Sequence, residues 1–143
     1  MRVGEAIVQT LWVGALWSVG YLAAPALFTY METPAAAGRI AGELFTVVTW
    51  LSMVCAALLI LASTWRPRRG NGLRIGLILA MALLLGISEW GVRPAMEAAR
   101  LPDGTPGEGF GMLHGISATL YLAASLAGVL LVGLSARDQA GGS

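Results

Sequence analysis

The sequence predicts an all-α integral membrane protein, a bundle of four transmembrane helices. Three observations support this prediction: 57% of the 143 residues are hydrophobic, only 12% are charged, and the mean hydropathy is +0.73. Nine basic and eight acidic residues cannot cover the surface of a soluble protein of this size. The composition also excludes a disordered chain, and a net charge of +1 argues against a nucleic-acid-binding protein.

Four apolar runs are long enough to cross about 30 Å of hydrocarbon as helices, which takes about 20 residues. Helices are predicted because lipid offers no partners for backbone amides and because the runs lack the alternation of barrel strands. The first run is too long for a cleaved signal peptide and is treated as a retained span. The predicted spans, numbered one to four, cover residues 6–28, 44–63, 73–90 and 110–134.

The segments between the spans are rich in turn-forming residues. Pro25, near the end of span one, is expected to kink the helix and free a carbonyl, although a plain helix end fits the sequence equally well. A loop is predicted over residues 29–43. After span three, prolines and glycines predict an irregular loop over residues 92–109, behind a short helical stretch near residues 95–100.

The arginines predict the orientation of the chain. Four of them lie in the segment WRPRRGNGLR, residues 65–74, between spans two and three. By the positive-inside rule this loop is cytoplasmic and, with four spans, so are both termini, which places six arginines inside and three outside. A topology signal is favoured over a lipid or nucleic-acid site here. We expect a multi-pass protein of the bacterial inner (plasma) membrane.

Small and polar residues recur at helical spacing in three of the spans, and such residues usually face other helices in a membrane. The same rule predicts close helix contacts at Gly14 and Gly115. The three faces are therefore expected to converge on the interior of the bundle. They comprise Thr10, Gly14, Trp17, Ser18, Tyr21, Pro25 and Phe28 in span one, Ala82, Gly86, Glu89 and Arg93 in span three, and His114, Ser117, Tyr121, Ser125 and Gly128 in span four.

Ionisable residues are predicted to meet near the outer surface: Glu89 and Arg93 at the end of span three, and His114, the only histidine, at the start of span four. Ionisable groups within a membrane are costly and so mark candidate functional sites. We predict one polar cluster, roofed by the bend at Pro25, which Arg39 and Glu43 can approach. A structural Glu89–Arg93 pair and a histidine bonded to a backbone carbonyl are the alternatives. The candidate ligand-binding residues are Glu89, Arg93, His114, Ser117, Pro25 and Trp17.

His114 is the only imidazole available as a metal ligand, and Cys55, the only cysteine, is expected to be a small buried residue. No Met-x-x-Met, Cys-x-x-Cys or second histidine accompanies them, so the methionines are expected to pack with apolar residues. No cofactor is expected, but copper, or haem with single-histidine or histidine–methionine ligation, is left open. Without a nucleophile–base pair, phosphate loop or zinc motif, no enzymatic activity is predicted.

Short motifs at the span ends carry a family resemblance. They are GALW at residues 14–17, APALF at 24–28, AGRIAGELF at 37–45, EW at 89–90 followed by Arg93-Pro94 and Met96, and His114-Gly115-x-Ser117. In this order they resemble the four-span family called domain of unknown function 4149, which includes transmembrane protein 205-like proteins. The resemblance implies four spans and no established activity, and its eukaryotic relatives are associated with resistance to platinum drugs. A looser similarity is to copper-resistance D-type membrane proteins, from which this sequence departs in lacking several histidines.

Three functions are compatible with these observations. The first is a small membrane protein that binds or passes a small cation or solute, as in metal or drug resistance, through an outward-facing polar pocket. The second is a structural or accessory membrane subunit without a ligand. The third is a haem- or copper-binding redox protein. The lipid bilayer is the expected partner and nucleic acid is not. A homo-oligomer is expected if the protein encloses a path, because four spans are few for a transporter.

Overall fold

The computed structural model describes residues 3–65 and 71–140 of the chain. In that part the protein is helical, and four helices are long and apolar enough to cross a membrane, which confirms the predicted all-α fold. Three of the four arginines in the predicted cytoplasmic loop fall on residues 66–70, outside the described residues. The four spans cover Val3–Tyr30, Pro34–Thr64, Gly72–Ala98 and Phe110–Arg137.

The spans form an antiparallel ring in which each packs against its neighbours in the chain and span four returns to span one. Spans two and four are continuous α-helices, whereas spans one and three each contain a π-helical segment. The helices are Val3–Trp17, π-helical Ser18–Ala23 and Ala24–Tyr30 in span one, Pro34–Thr64 in span two, Asn71–Gly86, π-helical Ile87–Val92 and Arg93–Ala98 in span three, and Phe110–Ala140 in span four.

The predicted loop over residues 29–43 is wrong, because span two begins at Pro34. Thr33 caps this helix with its hydroxyl, which accepts a hydrogen bond from the Ala36 backbone N–H at 3.3 Å. Proline in the first turn has the right backbone angle, and the alanines after it are the best helix formers. Hydropathy alone missed this turn because Arg39 and Glu43 lower the apolar signal without weakening the helix.

The predicted loop after span three does contain the short helix, Arg93–Ala98, and an irregular segment follows it. Backbone hydrogen bonds close this segment into a compact turn. The Leu101 N–H donates to the Thr105 carbonyl at 2.9 Å, and the Gly107 N–H donates to the Ala99 carbonyl at 2.9 Å. Gly104 has a φ of 81°, which a residue with a side chain rarely adopts.

Both π-helical segments end two residues before a proline, at Pro25 and Pro94. In each segment the last backbone bond reaches five residues back: the Ala24 N–H donates to Val19, and the Arg93 N–H donates to Ser88. Proline has no N–H and cannot donate the next α-helical hydrogen bond. The wider π-helical turn before it accommodates this interruption of the helix. The helical course of span one therefore continues through Pro25 to Tyr30.

Burial divides the bundle into two halves. The terminal half comprises residues 3–16, 48–65, 71–86 and 122–140, and the loop half comprises residues 17–47 and 87–121. In the terminal half large side chains such as Trp12, Leu16, Met81, Leu85 and Leu131 are completely enclosed. The buried residues of the loop half are three alanines, Ala24, Ala37 and Ala41.

Two of the three predicted inward faces are correct in large part. Glu89 and Arg93 are partly buried and Gly86 is buried in span three, and Ser125 and Gly128 are buried in span four. The face predicted for span one is wrong, since all seven of its residues are exposed. Span one instead buries Gln9, Trp12 and Leu16. A four-helix interior is wide, and large side chains fill it better than small ones.

The predicted close contacts at Gly14 and Gly115 are also wrong, because a Cβ at either position would meet no atom within 4 Å. Glycine allows close packing at other positions. A Cβ on Gly20 would collide with the Tyr121 ring, and one on Gly128 would lie 3.2 Å from both Met81 Cε and Val13 Cγ2. Span four therefore makes its close contacts near the middle of its helix, away from its first turn.

Candidate functional site

An ion pair at the loop half is the centre of the candidate site. Glu89 lies in the π-helical segment of span three, and Arg93 immediately follows that segment. The Arg93 Nη1 donates to Glu89 Oε1 at 2.6 Å, and the Glu89 side chain is only 10% exposed. The predicted pairing of these two residues along one helix therefore forms.

Span two contributes the second carboxylate and a hydroxyl. The Arg93 Nη2 donates to Glu43 Oε1 at 2.9 Å, and the Glu43 side chain is 70% exposed. The Thr46 hydroxyl, one turn deeper, donates to Glu89 Oε1 at 2.7 Å. We call Glu43, Thr46, Glu89 and Arg93 the acidic cluster. It joins spans two and three at the loop end, with Glu89 on its enclosed side and Glu43 on its open side.

The acidic cluster has two carboxylates and one guanidinium, so its formal charge is −1 when all three are ionised. Each carboxylate uses only its Oε1 atom in these contacts. Within the described residues, the Oε2 atoms of Glu43 and Glu89 accept no hydrogen bond. The cluster thus offers two carboxylate oxygens to a donor or cation.

His114 is not brought into the acidic cluster. It is exposed, and its ring lies parallel to that of Phe110, with centroids 6.2 Å apart. Phe110 in turn lies under the Arg100 guanidinium at 4.7 Å, and Arg100 pairs with Glu97. His114 therefore belongs to a neighbouring group at the entrance of span four, and no described contact connects it to Glu89.

Ser117 reaches the site through a neighbour of Glu89. Its hydroxyl lies 2.6 Å from that of Ser88, in the π-helical segment of span three. One turn further along span four, the Tyr121 hydroxyl donates to the Leu16 carbonyl at 2.6 Å, and its ring packs on Gly20. Span four thus holds the π-helical segments of both spans one and three.

Trp17 and Pro25 lie on the exposed face of span one. The Trp17 ring contacts that of Tyr21, with centroids 5.0 Å apart, and within the described residues neither Trp17 nor Pro25 shares a hydrogen bond or a ring contact with the acidic cluster. Pro25, the predicted roof, is exposed. Thr46 and Ser88 are the positions that sequence reasoning missed at this site, while Tyr121 was predicted to face inward but not to bond the Leu16 carbonyl. The spacing of Thr46 three residues after Glu43 was the available signal, since it places both on one side of span two.

The structure brings no metal-binding set together in its described part. There, no three residues of the types histidine, cysteine, aspartate and glutamate converge on a point that could hold a metal ion. Cys55 is buried in the apolar core of the terminal half, and His114 is exposed at the opposite end of the bundle.

The family comparison covers the part of the chain that builds the acidic cluster. A family profile described as domain of unknown function (DUF4149) matches residues 7–102, which is more than half of the chain and includes Glu43, Thr46, Glu89 and Arg93. No curated protein and no solved structure matches the chain. The resemblances to transmembrane protein 205-like and copper-resistance proteins stay predictions. The chain belongs to the family with this domain of unknown function, DUF4149.

Proposed function

We propose that this protein binds a small cation or a protonated solute at the acidic cluster. The observation that carries the proposal is the pair of unbonded Oε2 atoms, on Glu43 and Glu89, in a cluster with a formal charge of −1. A charged group near the membrane is costly unless it is paired, and Arg93 compensates only one of the two carboxylates. A bound cation would compensate the other.

The surroundings of the cluster favour binding from its own end of the bundle. Glu43 is mostly exposed, whereas the large side chains of the terminal half fill the interior on the other side. A solute that passes through the protein would therefore need a rearrangement of that core or a second copy of the chain. With the termini in the cytoplasm, as the arginines predict, the cluster opens to the outer side of the membrane.

The orientation is tested with single cysteines in whole cells. Asp103→Cys at the loop end should react with a membrane-impermeant thiol reagent, and Asn71→Cys at the other end should not. The native Cys55 is buried and gives little background. Labelling at Asn71 alone would reverse the orientation and place the cluster in the cytoplasm.

Binding is tested on the detergent-purified protein with tetramethylammonium and sodium ions as probes, by thermal shift and titration calorimetry. A cation that binds only the folded state should raise the unfolding temperature. Glu89→Gln keeps the acceptor for Thr46 but removes the charge, and it should abolish the shift. Glu108→Gln, an exposed acidic residue in the loop outside the cluster, is the matched control. The absence of any shift in the wild type, or an equal loss in the control, would overturn the proposal.

A specific observation also favours the accessory-subunit alternative. Thr10, Gly14 and Ser18 follow one another at four-residue spacing on the exposed face of span one, and the two hydroxyls make no hydrogen bond within the described residues. Small residues at this spacing are typical of helix–helix contacts in membranes. If this face meets a second copy, Gly14→Cys should form a disulfide-linked dimer in membranes, whereas Leu130→Cys, exposed on span four, should not.

A further inference from the structure

A pair of tryptophans lies beside the acidic cluster, on the lipid-exposed side of the same two spans. The rings of Trp50 and Trp90 meet edge to face, with centroids 5.7 Å apart and an interplanar angle of 73°. Trp90 follows Glu89 directly, and Trp50 lies one turn beyond Thr46 toward the terminal half. Both residues are more than half exposed, at 53% and 58%.

Trp50, one of the two rings, lies deeper along its helix than a tryptophan at a span end does. Trp50 lies sixteen residues after Pro34 in a helix of 31 residues, which places it about 24 Å along the helix and near its middle. Tryptophans that anchor a protein at the interface lie near the span ends, where water or headgroups bond the indole N–H. Neither indole N–H has a hydrogen-bond partner among the described residues.

The Trp90 ring is held in place by the backbone of its own span. A Cβ on Gly86 would lie 3.0 Å from Trp90 Cζ3 and 3.7 Å from Met53 Cε, so the ring lies close against the helix at this glycine. Trp50 closes over it from span two. The two rings thus form an aromatic surface on the same two spans as the acidic cluster, with Trp90 directly after Glu89 and Trp50 one helical turn after Thr46.

We propose that the occupant of the acidic cluster is an amphipathic organic cation that reaches it from the bilayer. Its charged head lies at the Oε2 atoms of Glu43 and Glu89, and its apolar part lies against Trp50 and Trp90. This inference rests on the proposed function and names its ligand class, a quaternary ammonium or phosphonium ion with an apolar substituent.

The chemistry excludes the other classes of ligand. An anion is repelled by the formal charge of −1, and a small hydrated metal ion gains nothing from exposed aromatic rings. An organic cation with an apolar substituent gains from both groups, because the carboxylates attract its charge and the indole rings offer apolar surface to its substituent. Exposure of the rings to lipid leaves room for a substituent that the bilayer itself solvates.

The test compares two probes on the detergent-purified full chain by titration calorimetry. Benzyltrimethylammonium, which has the aromatic substituent, should bind about tenfold more tightly than tetramethylammonium, which has only the charged head. Trp50→Leu and Trp90→Leu should remove most of that ratio, because they should weaken the binding of the benzyl compound far more than that of tetramethylammonium. Trp65→Leu, an exposed tryptophan at the other end of span two, is the matched control and should keep the ratio.

The possible outcomes distinguish a failure of the proposed cation site from a failure of the proposed ligand class. If neither probe binds, or if Glu89→Gln does not weaken both, the proposed cation site itself is wrong. If tetramethylammonium binds in a Glu89-dependent way but the benzyl compound binds no more tightly, only the ligand class is wrong. The conservative variant Trp50→Phe keeps a ring at the contact. It should retain part of the ratio, and complete loss in a folded Trp50→Phe protein would overturn the role of the aromatic surface.

Discussion

The terminal half and the loop half of this bundle are stabilised by different interactions. In the terminal half the side chains of Trp12, Leu16 and Leu85 are fully enclosed by other residues. In the loop half the interhelical contacts are an ion-pair network around Arg93, the Ser88–Ser117 contact and the Tyr121–Leu16 hydrogen bond. The carboxylate oxygens of the acidic cluster that accept no hydrogen bond lie in the half with few enclosed side chains. The polar atoms without a partner among the described residues of the terminal half, Gln9 Nε2 and Trp12 Nε1, are instead buried in its core. The comparison teaches that tight apolar packing and the ion-pair network lie at different ends of this fold.

The largest expected effect tests the terminal half. Leu85 is enclosed in the core, and Leu83, two residues earlier in the same helix, is exposed. Leu85→Ala should lower the free energy of unfolding by about 3 kcal/mol because it leaves a cavity, whereas Leu83→Ala should change it by less than about 0.5 kcal/mol. Denaturation in mixed detergent micelles, followed by circular dichroism, measures both. Equal effects would mean that the terminal half has no specifically packed core.

The next prediction tests the packing at the boundary between the two halves. Gly20 lies against the Tyr121 ring, and Gly14 faces open space. Gly20→Ala should destabilise the fold by about 2 kcal/mol through overpacking, while Gly14→Ala should be neutral or stabilise it by up to about 1 kcal/mol. The same denaturation measurement applies. A neutral Gly20→Ala variant would show that the Tyr121 ring moves aside at little cost.

A smaller effect distinguishes the loop half by its response to salt. Arg93→Gln removes both ion pairs of the acidic cluster and should destabilise the protein by about 1–2 kcal/mol, since the partly buried pair with Glu89 contributes most and the pair with the exposed Glu43 contributes little. Arg39→Gln, on the same end of span two, removes an exposed arginine without an ion pair in the described structure and is the control. The difference between the two variants should shrink at high salt. A difference that is independent of salt would indicate a packing role for the Arg93 side chain.

The smallest effect concerns the turn that closes the loop half. The Thr105 hydroxyl and backbone N–H both donate to Asp103 Oδ1, at 2.6 and 2.9 Å, and they lower the pKa of this carboxyl below its ordinary value of 3.8. A lowered pKa means that the contribution of the carboxylate is present above pH 3.8 and is lost as the pH falls through the lowered value. The Thr105 amide resonance in an NMR spectrum should shift in that window. Asp103→Asn should remove the shift, and a persistent shift would assign it to another group.

Much of the fold could be predicted from the sequence because a membrane imposes few choices. The lengths of the four apolar runs were enough to predict the number of spans. The prolines and glycines after Arg93 were enough to predict the irregular turn. The start of span two could not be read from hydropathy, because a helix may extend beyond the hydrocarbon wherever caps and alanines favour it. Lipid and the protein interior are equally apolar, so the sequence does not show which apolar residues face the interior. For this reason it could not predict that Trp12 is buried and Trp17 is exposed.

The candidate site could be predicted in part. Glu89 and Arg93 were found because a charge in an apolar run is conspicuous, and their spacing within one helix fixes the pairing. Glu43 was placed near them, although only the structure brings it to Arg93. His114 was placed with them by its depth and by the polar face of span four, but a polar stripe does not fix the direction of a side chain in the first turn, where the ring is exposed and lies parallel to Phe110. The roles of Thr46 and Tyr121 could not be predicted from the sequence. Each residue acts through one hydroxyl hydrogen bond, which any threonine or tyrosine could make.

The two π-helical segments have a consequence for insertions and deletions. A π-helical turn amounts to an α-helix with one additional residue, so the faces of span three before Ile87 and after Val92 are offset by about 100° from a continuous α-helical register. Deletion of a single residue from Ile87–Val92 could restore unbroken α-helix, but it would rotate Arg93 and everything beyond it away from Glu43. The acidic cluster should therefore tolerate exchanges of its apolar neighbours far better than any change in the length of the segment between Gly86 and Pro94.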